Sequence, residues 1–122
     1  MLTEPLIAVI DDDAPFRTAL VEWLCSCGYR VRGFASAEEF IVGNLEPSCG
    51  CIITDIHMSG MSGLGLKQHL AARSSNVPVI MITASAEEGL EAKAADGGAA
   101  CLLRKPFESD KLTGWLNKVL KC

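Results

Sequence analysis

The sequence lacks any long hydrophobic run. No segment approaches the ~20 apolar residues that a membrane span requires, and the longest candidate, Val77 to Ala84, is the size of a strand. The first residues, Met-Leu-Thr-Glu-Pro, lack the positive region of a secretory signal, so the expected compartment is the cytoplasm. Positive charge is also scarce. Lys and Arg number 11 against 15 Asp and Glu, a net charge of −4. That balance leaves out the basic footprint of a nucleic-acid binder and the polybasic patch of a membrane-surface protein. No direct nucleic-acid or membrane partner is expected. Linkers, repeats and low-complexity stretches are missing too. The six cysteines include two C-x-C pairs and no C-x-x-C. Residues i and i+2 of a helix point about 200° apart, so Cys25 and Cys27 are poorly disposed to share a metal. In a reducing compartment, Cys25, Cys27, Cys49, Cys51, Cys101 and Cys122 read as small, mostly buried apolar residues.

What is present is an ordinary globular composition, 49% hydrophobic and 21% charged over 122 residues. It suits one domain over residues 1–122, large enough to build a core without disulfides or metal. Short apolar runs alternate with amphipathic stretches. Leu6-Ile7-Ala8-Val9-Ile10 reads as a strand buried on both faces, which is typical of a parallel sheet. Phe16, Ala19, Leu20, Trp23, Leu24 and Cys27 then step by 3 and 1, the spacing of one helical face. Pro15 suits the first turn of that helix and Gly28 its end. A second strand follows over Tyr29 to Phe34. Ser36 caps a short helix through Phe40, with Glu39 completing a capping box.

Pro47 to Gly50 reads as a loop and Cys51 to Thr54 as a third strand ending at Asp55. A loop with Gly60, Gly63 and Gly65 leads into a helix carrying Leu66 and Leu70. Val77 to Thr83 is the fourth strand, with Pro78 near its start. Ala86 to Ala95 is a helix with little apolar surface, and Gly97-Gly98 ends it. Ala100 to Leu103 is the fifth strand. Leu112, Trp115, Leu116, Val119 and Leu120 mark a terminal helix. Five strands alternating with five helices imply an α/β fold, a doubly wound parallel sheet with helices on both faces. Trp23 and Trp115 fall on apolar helical faces and read as packing residues.

In an open α/β sheet, ligands bind outside the carboxyl ends of the strands. The first strand ends in Asp11, Asp12 and Asp13, the third in Asp55, the fourth in Thr83, and the fifth runs into Lys105. Taken singly, each has a plain reading. Asp11 and Asp12 suit a solvated turn with Asp13 as helix cap, Thr83 a β-branched strand residue, and Lys105 a solvated charge. Together they bring acids, a hydroxyl and an ammonium to one edge. Carboxylates about 4 Å apart cost roughly 4 kcal/mol per pair at an effective dielectric of ~20. Such a cluster calls for a cation or raised pKa values. An oxygen-only donor set favours a hard ion such as Mg²⁺. A carboxylate beside a metal, a lysine and a hydroxyl is equipped to accept a phosphoryl group.

With these residues in order, the chain resembles the receiver domain of two-component response regulators over essentially its whole length. The resemblance rests on Val9-Ile10-Asp11-Asp12-Asp13, Ile53-Thr54-Asp55-Ile56-His57-Met58, Met61-Ser62-Gly63-Leu64, Ile82-Thr83-Ala84 and Arg104-Lys105-Pro106-Phe107. The Met-Ser-Gly-Leu stretch and the Lys-Pro-Phe ending are similar to the FixJ-type branch. The resemblance implies a flavodoxin-like sheet of order 2-1-3-4-5. It implies Asp55 as phospho-acceptor, and Asp12, Asp55 and the backbone carbonyl of His57 as Mg²⁺ ligands. Asp11 would act through metal-bound water, Lys105 would pair with the phosphoryl oxygens, and Thr83 would hydrogen-bond the phosphoryl group. A cis Lys105-Pro106 bond is implied as well.

The implied partners are a histidine kinase or phosphotransfer protein, with a phosphorylation-dependent homodimer through the 86–122 region. The domain would catalyse only its own phosphorylation and dephosphorylation. Two positions depart from the family pattern. Ser59 stands where proline is usual, which predicts a less rigid loop beyond Asp55. Leu102 stands where an aromatic residue usually rotates inward as the threonine moves. His57 and Ser85 occupy positions that tune dephosphorylation in the family. The departures keep a second reading open, a degenerate receiver that binds partners without phosphorylation. A third, a Mg²⁺-dependent hydrolase with an aspartyl-phosphate intermediate, expects its nucleophile on the first strand and a cap region.

Overall fold

The computed structural model describes residues 5–43 and 49–120. Its elements run β1 (Leu6–Ile10), α1 (Ala14–Ser26), β2 (Arg30–Phe34), α2 (Ala37–Gly43), β3 (Cys49–Asp55), α3 (Gly63–Ala72), β4 (Val79–Thr83), α4 (Leu90–Asp96), β5 (Cys101–Arg104) and α5 (Ser109–Val119). The five strands form one sheet of order β2-β1-β3-β4-β5, parallel throughout. This is the expected architecture.

The apolar runs are buried as their composition demands. Every residue of β1 and β4 is buried, whereas edge strand β2 buries only Phe34. Alternation along the strands divides the core into two layers. Ile7, Val9, Cys51, Ile53, Ile80 and Ile82 face Leu20 and Leu24 of α1 and Leu112 and Leu116 of α5. Ala8, Ile10, Ile52 and Met81 face α2, α3 and α4 through residues such as Phe40, Leu66, Leu70 and Leu90. The helices are started by local chemistry. Asp13 Oδ1 accepts from Phe16 N–H at 3.2 Å and Ser62 Oγ from Gly65 N–H at 3.0 Å. Ser36 Oγ accepts from Glu39 N–H at 3.0 Å, while Glu39 reaches back to Ala35 N–H at 3.5 Å rather than to Ser36 itself.

α2 runs on to Gly43 rather than ending at Phe40, and β2 and β5 shift by one residue; three other boundaries differ for a visible local reason. Cys49 and Gly50 belong to β3, not to a loop; Pro47 and Ser48 lie outside the described residues. Leu6 pairs with Cys49 and Ile7 with Cys51, so Gly50 is the extra residue of a bulge. A Cβ there would lie 2.3 Å from the Pro5 side chain, so only glycine allows the approach. β4 begins at Val79 because Pro78 has no N–H to pair, although its carbonyl accepts from Ile52 at 2.9 Å. α4 begins at Leu90 rather than Ala86, because residues 84–87 are irregular and a turn at 88–89 closes with Gly89 at φ +85°.

The cysteines also need correction. Cys25 and Cys27 are exposed, Cys49 and Cys101 half-buried, and only Cys51 is fully buried; Cys122 lies outside the described residues. α1 buries Leu20 and Leu24, and the residues after Leu24, Cys25 to Cys27, lie in solvent. Burial, with smaller contributions from Cys49 and Cys101, pushes the Cys51 thiol up to about 12. Burial raises Cys101 to about 11 against the opposing charge of Lys118. Neither presents a thiolate near neutrality.

Leu24 is 0% exposed at the centre of the α1 layer. Leu24→Ala should destabilise the fold by about 2–5 kcal/mol. Urea titration should show a lower midpoint with an unchanged slope.

Candidate functional site

Because the strands are parallel, their carboxyl ends share one edge. β1 delivers Asp11 there, β3 Asp55, β4 Thr83, and Lys105 follows β5 directly. Lys105 Nζ donates to Asp11 Oδ2 at 2.9 Å and to Asp55 Oδ2 at 3.0 Å. One ammonium therefore joins the ends of three strands. Asp11 is fully buried, the Asp55 side chain is 10% exposed and that of Lys105 15%. Lys105 Nζ also sits 3.9 Å from the centroid of the Phe16 ring, a cation–π contact from α1. The Lys105-Pro106 bond is cis, as the resemblance implies.

The second oxygen of each central acid is held by its own turn. Asp11 Oδ1 accepts from Asp13 N–H at 2.9 Å, and Asp55 Oδ1 from His57 N–H at 3.0 Å. Thr83 is fully buried, and its Oγ1 accepts from Ser85 N–H at 3.0 Å. Asp12 is exposed at the rim, where Oδ2 accepts from Ser59 N–H at 3.2 Å. The His57 side chain is exposed. The structure thus brings Asp11, Asp55 and Lys105 into direct contact, keeps Thr83 buried at the end of β4, and leaves Asp12 and His57 outward.

Burial is the largest influence on both Asp11 and Lys105, and the two respond differently. For Asp11, burial and the charge of Asp55 outweigh the Asp13 amide and Lys105, so its pKa is raised above the ordinary 3.8. For Lys105, burial alone would lower the pKa, but the bonds and charges of two carboxylates raise it above 10.5. A single ammonium shared by two acids cannot neutralise both. That residual negative charge suits a hard cation in its chemistry. Among the described residues no three acidic, His or Cys side chains form a ready-made cage. Mg²⁺ does not require one, since it binds through one or two carboxylates and keeps several waters.

Several supporting residues escaped sequence reasoning. Arg17 Nη1 donates to the Asp11 carbonyl at 2.7 Å from one turn into α1. Glu38 of α2 accepts from Met61 N–H at 2.9 Å. With the Ser59–Asp12 bond, it pins the loop beyond Asp55 from two sides. A proline at position 59 would have no N–H to give Asp12. Gly63 opens α3 directly against the end of β3: a Cβ there would lie 2.5 Å from the Asp55 carbonyl oxygen. Its presence in a glycine-rich loop was visible, but this approach was not. An apolar groove of about 270 Å³, lined by Phe16, Leu20, Trp23 and Phe107 among others, adjoins Lys105 without including the acids.

Two outcomes follow from this geometry. Gly63→Ala must displace backbone at Asp55, and should lower stability by about 1–3 kcal/mol in a denaturant titration. Asp11→Asn should raise the melting temperature at pH 7 without divalent cations. A raised folded pKa means that Asp11 favours the fold below pH 3.8 and opposes it once pH rises through the folded value. The gap between variant and parent should therefore close as pH falls below 3.8.

Comparison with known proteins agrees with this arrangement. Residues 7–117 match the family model of the response regulator receiver domain. The chain is 35% identical over 121 residues to the transcriptional regulatory protein FixJ of Bradyrhizobium diazoefficiens, covering 99% of this chain and 59% of that protein. It is 37% identical over 118 residues to the response regulator protein TmoT of Ectopseudomonas mendocina, covering 97% and 54% respectively. The chain thus spans little more than half the length of these relatives. Among solved structures, it superposes on FixJ-N with a TM-score of 0.88 at 28% identity, covering 98% of this chain and 96% of that one. For the response regulator StyR the TM-score is 0.90 at 34% identity, covering 98% and 60%. The acid edge, the 2-1-3-4-5 sheet that carries it and a family match over nearly the whole chain lead to one conclusion: this chain belongs to the receiver domains of response regulators.

Proposed function

We propose that Asp55 is the phospho-acceptor of a two-component signalling switch. The observation that carries this reading is the bridge from Lys105 to both Asp11 and Asp55, at 2.9 and 3.0 Å. It leaves a carboxylate at the strand edge with a cation beside it and a buried hydroxyl, Thr83, on the next strand. The donor is the phosphohistidine of a histidine kinase or phosphotransfer protein. An Asp55 oxygen attacks phosphorus, an O–P bond forms and the P–N bond breaks. The electron pair returns to the imidazole, and an acyl phosphate remains on Asp55.

Lys105 offsets charge on the transferred group, Thr83 supplies a hydroxyl toward it, and the Phe16 ring holds the ammonium from below. Asp11, Asp12, Asp55 and the His57 carbonyl are the groups that would hold Mg²⁺, which neutralises charge on the transferring phosphoryl when bound. The new group adds about −1.5 to −2 charges and biases the surface of the domain. Water later hydrolyses the acyl phosphate, so the domain catalyses only its own phosphorylation and dephosphorylation. The reading includes action in the cytoplasm and a phosphorylation-dependent homodimer through the 86–122 region. Ser59 and Leu102 motivated a binding-only alternative. The Ser59 amide bonds Asp12, and the acid–lysine set is intact, so that alternative has no supporting observation.

The test is intact-mass analysis after incubation with a small acyl-phosphate donor and Mg²⁺. One phosphate is expected, absent from Asp55→Asn and from the metal-free control. A folded parent protein that stays unmodified would sink the proposal. In parallel, Mg²⁺ at a hundredfold excess over its Kd should stabilise the parent by about 2.7 kcal/mol in thermal melts, and Asp12→Ala should lose most of that gain at the same concentration.

A further inference from the structure

The guanidinium of Arg104 is the point where β5, the loop after Thr83 and helix α4 meet. Arg104 pairs with Thr83 in the register of β4 and β5. Its Nη1 donates to the Ser85 carbonyl. Its Nη2 donates to the Glu87 carbonyl at 3.3 Å and to Glu91 Oε1 at 2.7 Å. The Arg104 side chain is 35% exposed and that of Glu91 68%, so the Ser85 end of the contact is packed and the Glu91 end open to solvent. The bond lowers the Glu91 pKa below its ordinary value, with Arg104 as the largest cause.

The same loop is tied to the buried edge at its other end. Ser85 N–H donates to Thr83 Oγ1 at 3.0 Å. Ser85 thus offers its amide to Thr83 and its carbonyl to Arg104. Glu87 adds two exposed ties: its N–H donates to Ser85 Oγ at 3.0 Å, and its Oε2 accepts from Lys93 Nζ at 3.4 Å. Residues 86–89 are exposed, Gly89 carries a φ of +85°, and α4 buries only Leu90 and Ala94. On the same side of β5, Leu102 packs in the α2–α4 layer and has no polar atom with which to follow Thr83. Two polar routes lead from Thr83 to α4, both through Ser85: one by Arg104 to Glu91, and an exposed one by Glu87 to Lys93.

We propose that Arg104 is a positioning residue that clasps the 84–89 loop to the first turn of α4, holds the resting position of Thr83, and transmits displacement of Thr83 to α4. The resting clasp stands on the hydrogen bonds alone. Its role in signalling rests on the phospho-acceptor reading of Asp55. Arginine is needed because its fork serves three acceptors in fixed geometry, which a lysine ammonium cannot match.

Amide hydrogen exchange resolved by residue provides the test. In the unphosphorylated protein, Arg104→Ala should speed exchange of the bonded amides of Ser85, Glu87 and Lys93 by about tenfold, the scale of one lost charge-assisted hydrogen bond. Residues 7–10 and 20–24 should exchange as in the parent, which separates a released clasp from global unfolding. Arg104→Lys should be intermediate, and it keeps the question answerable if the alanine variant folds poorly. Unchanged exchange over 85–93 in both variants would overturn the clasp. After acyl-phosphate treatment, the parent should show faster exchange in 90–96, and Arg104→Ala should show no further increase although Asp55 carries phosphate by mass. A phosphorylated parent with unaltered 90–96 would overturn the transmission role. If the parent takes no phosphate while Arg104→Ala still loosens the loop, the phospho-acceptor reading and the signalling role fall and the clasp alone stands.

Discussion

The ammonium of Lys105, shared between the carboxylates of Asp11 and Asp55, is the constraint on which the site depends. The two acids come from different strands and would repel across the edge without it. Lys105 can reach them because it directly follows β5, with its backbone N–H on the Thr83 carbonyl at 2.7 Å. Phe16 closes the space beneath the ammonium from α1. Contacts to buried charges gain strength from exclusion of water, and by the same physics an imbalance among them is costly. With two acids to one lysine, the edge remains negative and suited to a further cation or to a change in protonation.

That arrangement draws on the whole sheet. Parallel strands gather their carboxyl ends on one side, and helices on both faces bury the runs that precede them. Close approaches then fix the register of the acids. Gly50 lets the chain bulge between Cys49 and Cys51, and Gly63 lets α3 start against the Asp55 carbonyl. The loop beyond Asp55 is tied down by acceptors from two other segments, Asp12 and Glu38. The α4 side is held differently. Its helix buries only Leu90 and Ala94, and Arg104 ties its first turn to β5 through Glu91. A firm β1–β3 centre beside a lightly packed α4 gives local changes at the edge a path of least resistance.

Much of this was legible in the residues. Continuous apolar runs such as Leu6 to Ile10 announce buried parallel strands, and the 3 and 1 steps in α1 and α5 announce helices with one apolar face. The sequence positions of Asp11, Asp55, Thr83 and Lys105 at strand ends were enough to gather them at one edge. Boundaries were harder. Ala86 to Gly89 has helix-forming composition, yet it stays outside α4, where Arg104 takes the carbonyls of Ser85 and Glu87 and Gly89 adopts a left-handed φ. Cys25 and Cys27 looked like core residues by type, but α1 needs only Leu20 and Leu24 to fill its layer.

Element types, the parallel α/β class and the residues that arrive at the carboxyl edge are all readable from the order of residues. Those properties follow from local periodicity and chain order, which are written in the one-dimensional pattern. Packing in three dimensions settles which oxygen of each acid faces Lys105, that Phe16 and Arg17 serve the site as well as the helix, and that Gly63 is required by a backbone neighbour. The clasp from Arg104 to Ser85, Glu87 and Glu91 belongs to the same group. Such contacts join residues far apart in sequence through distances of about 3 Å. No periodicity encodes them, because they depend on how packed elements are offset from one another.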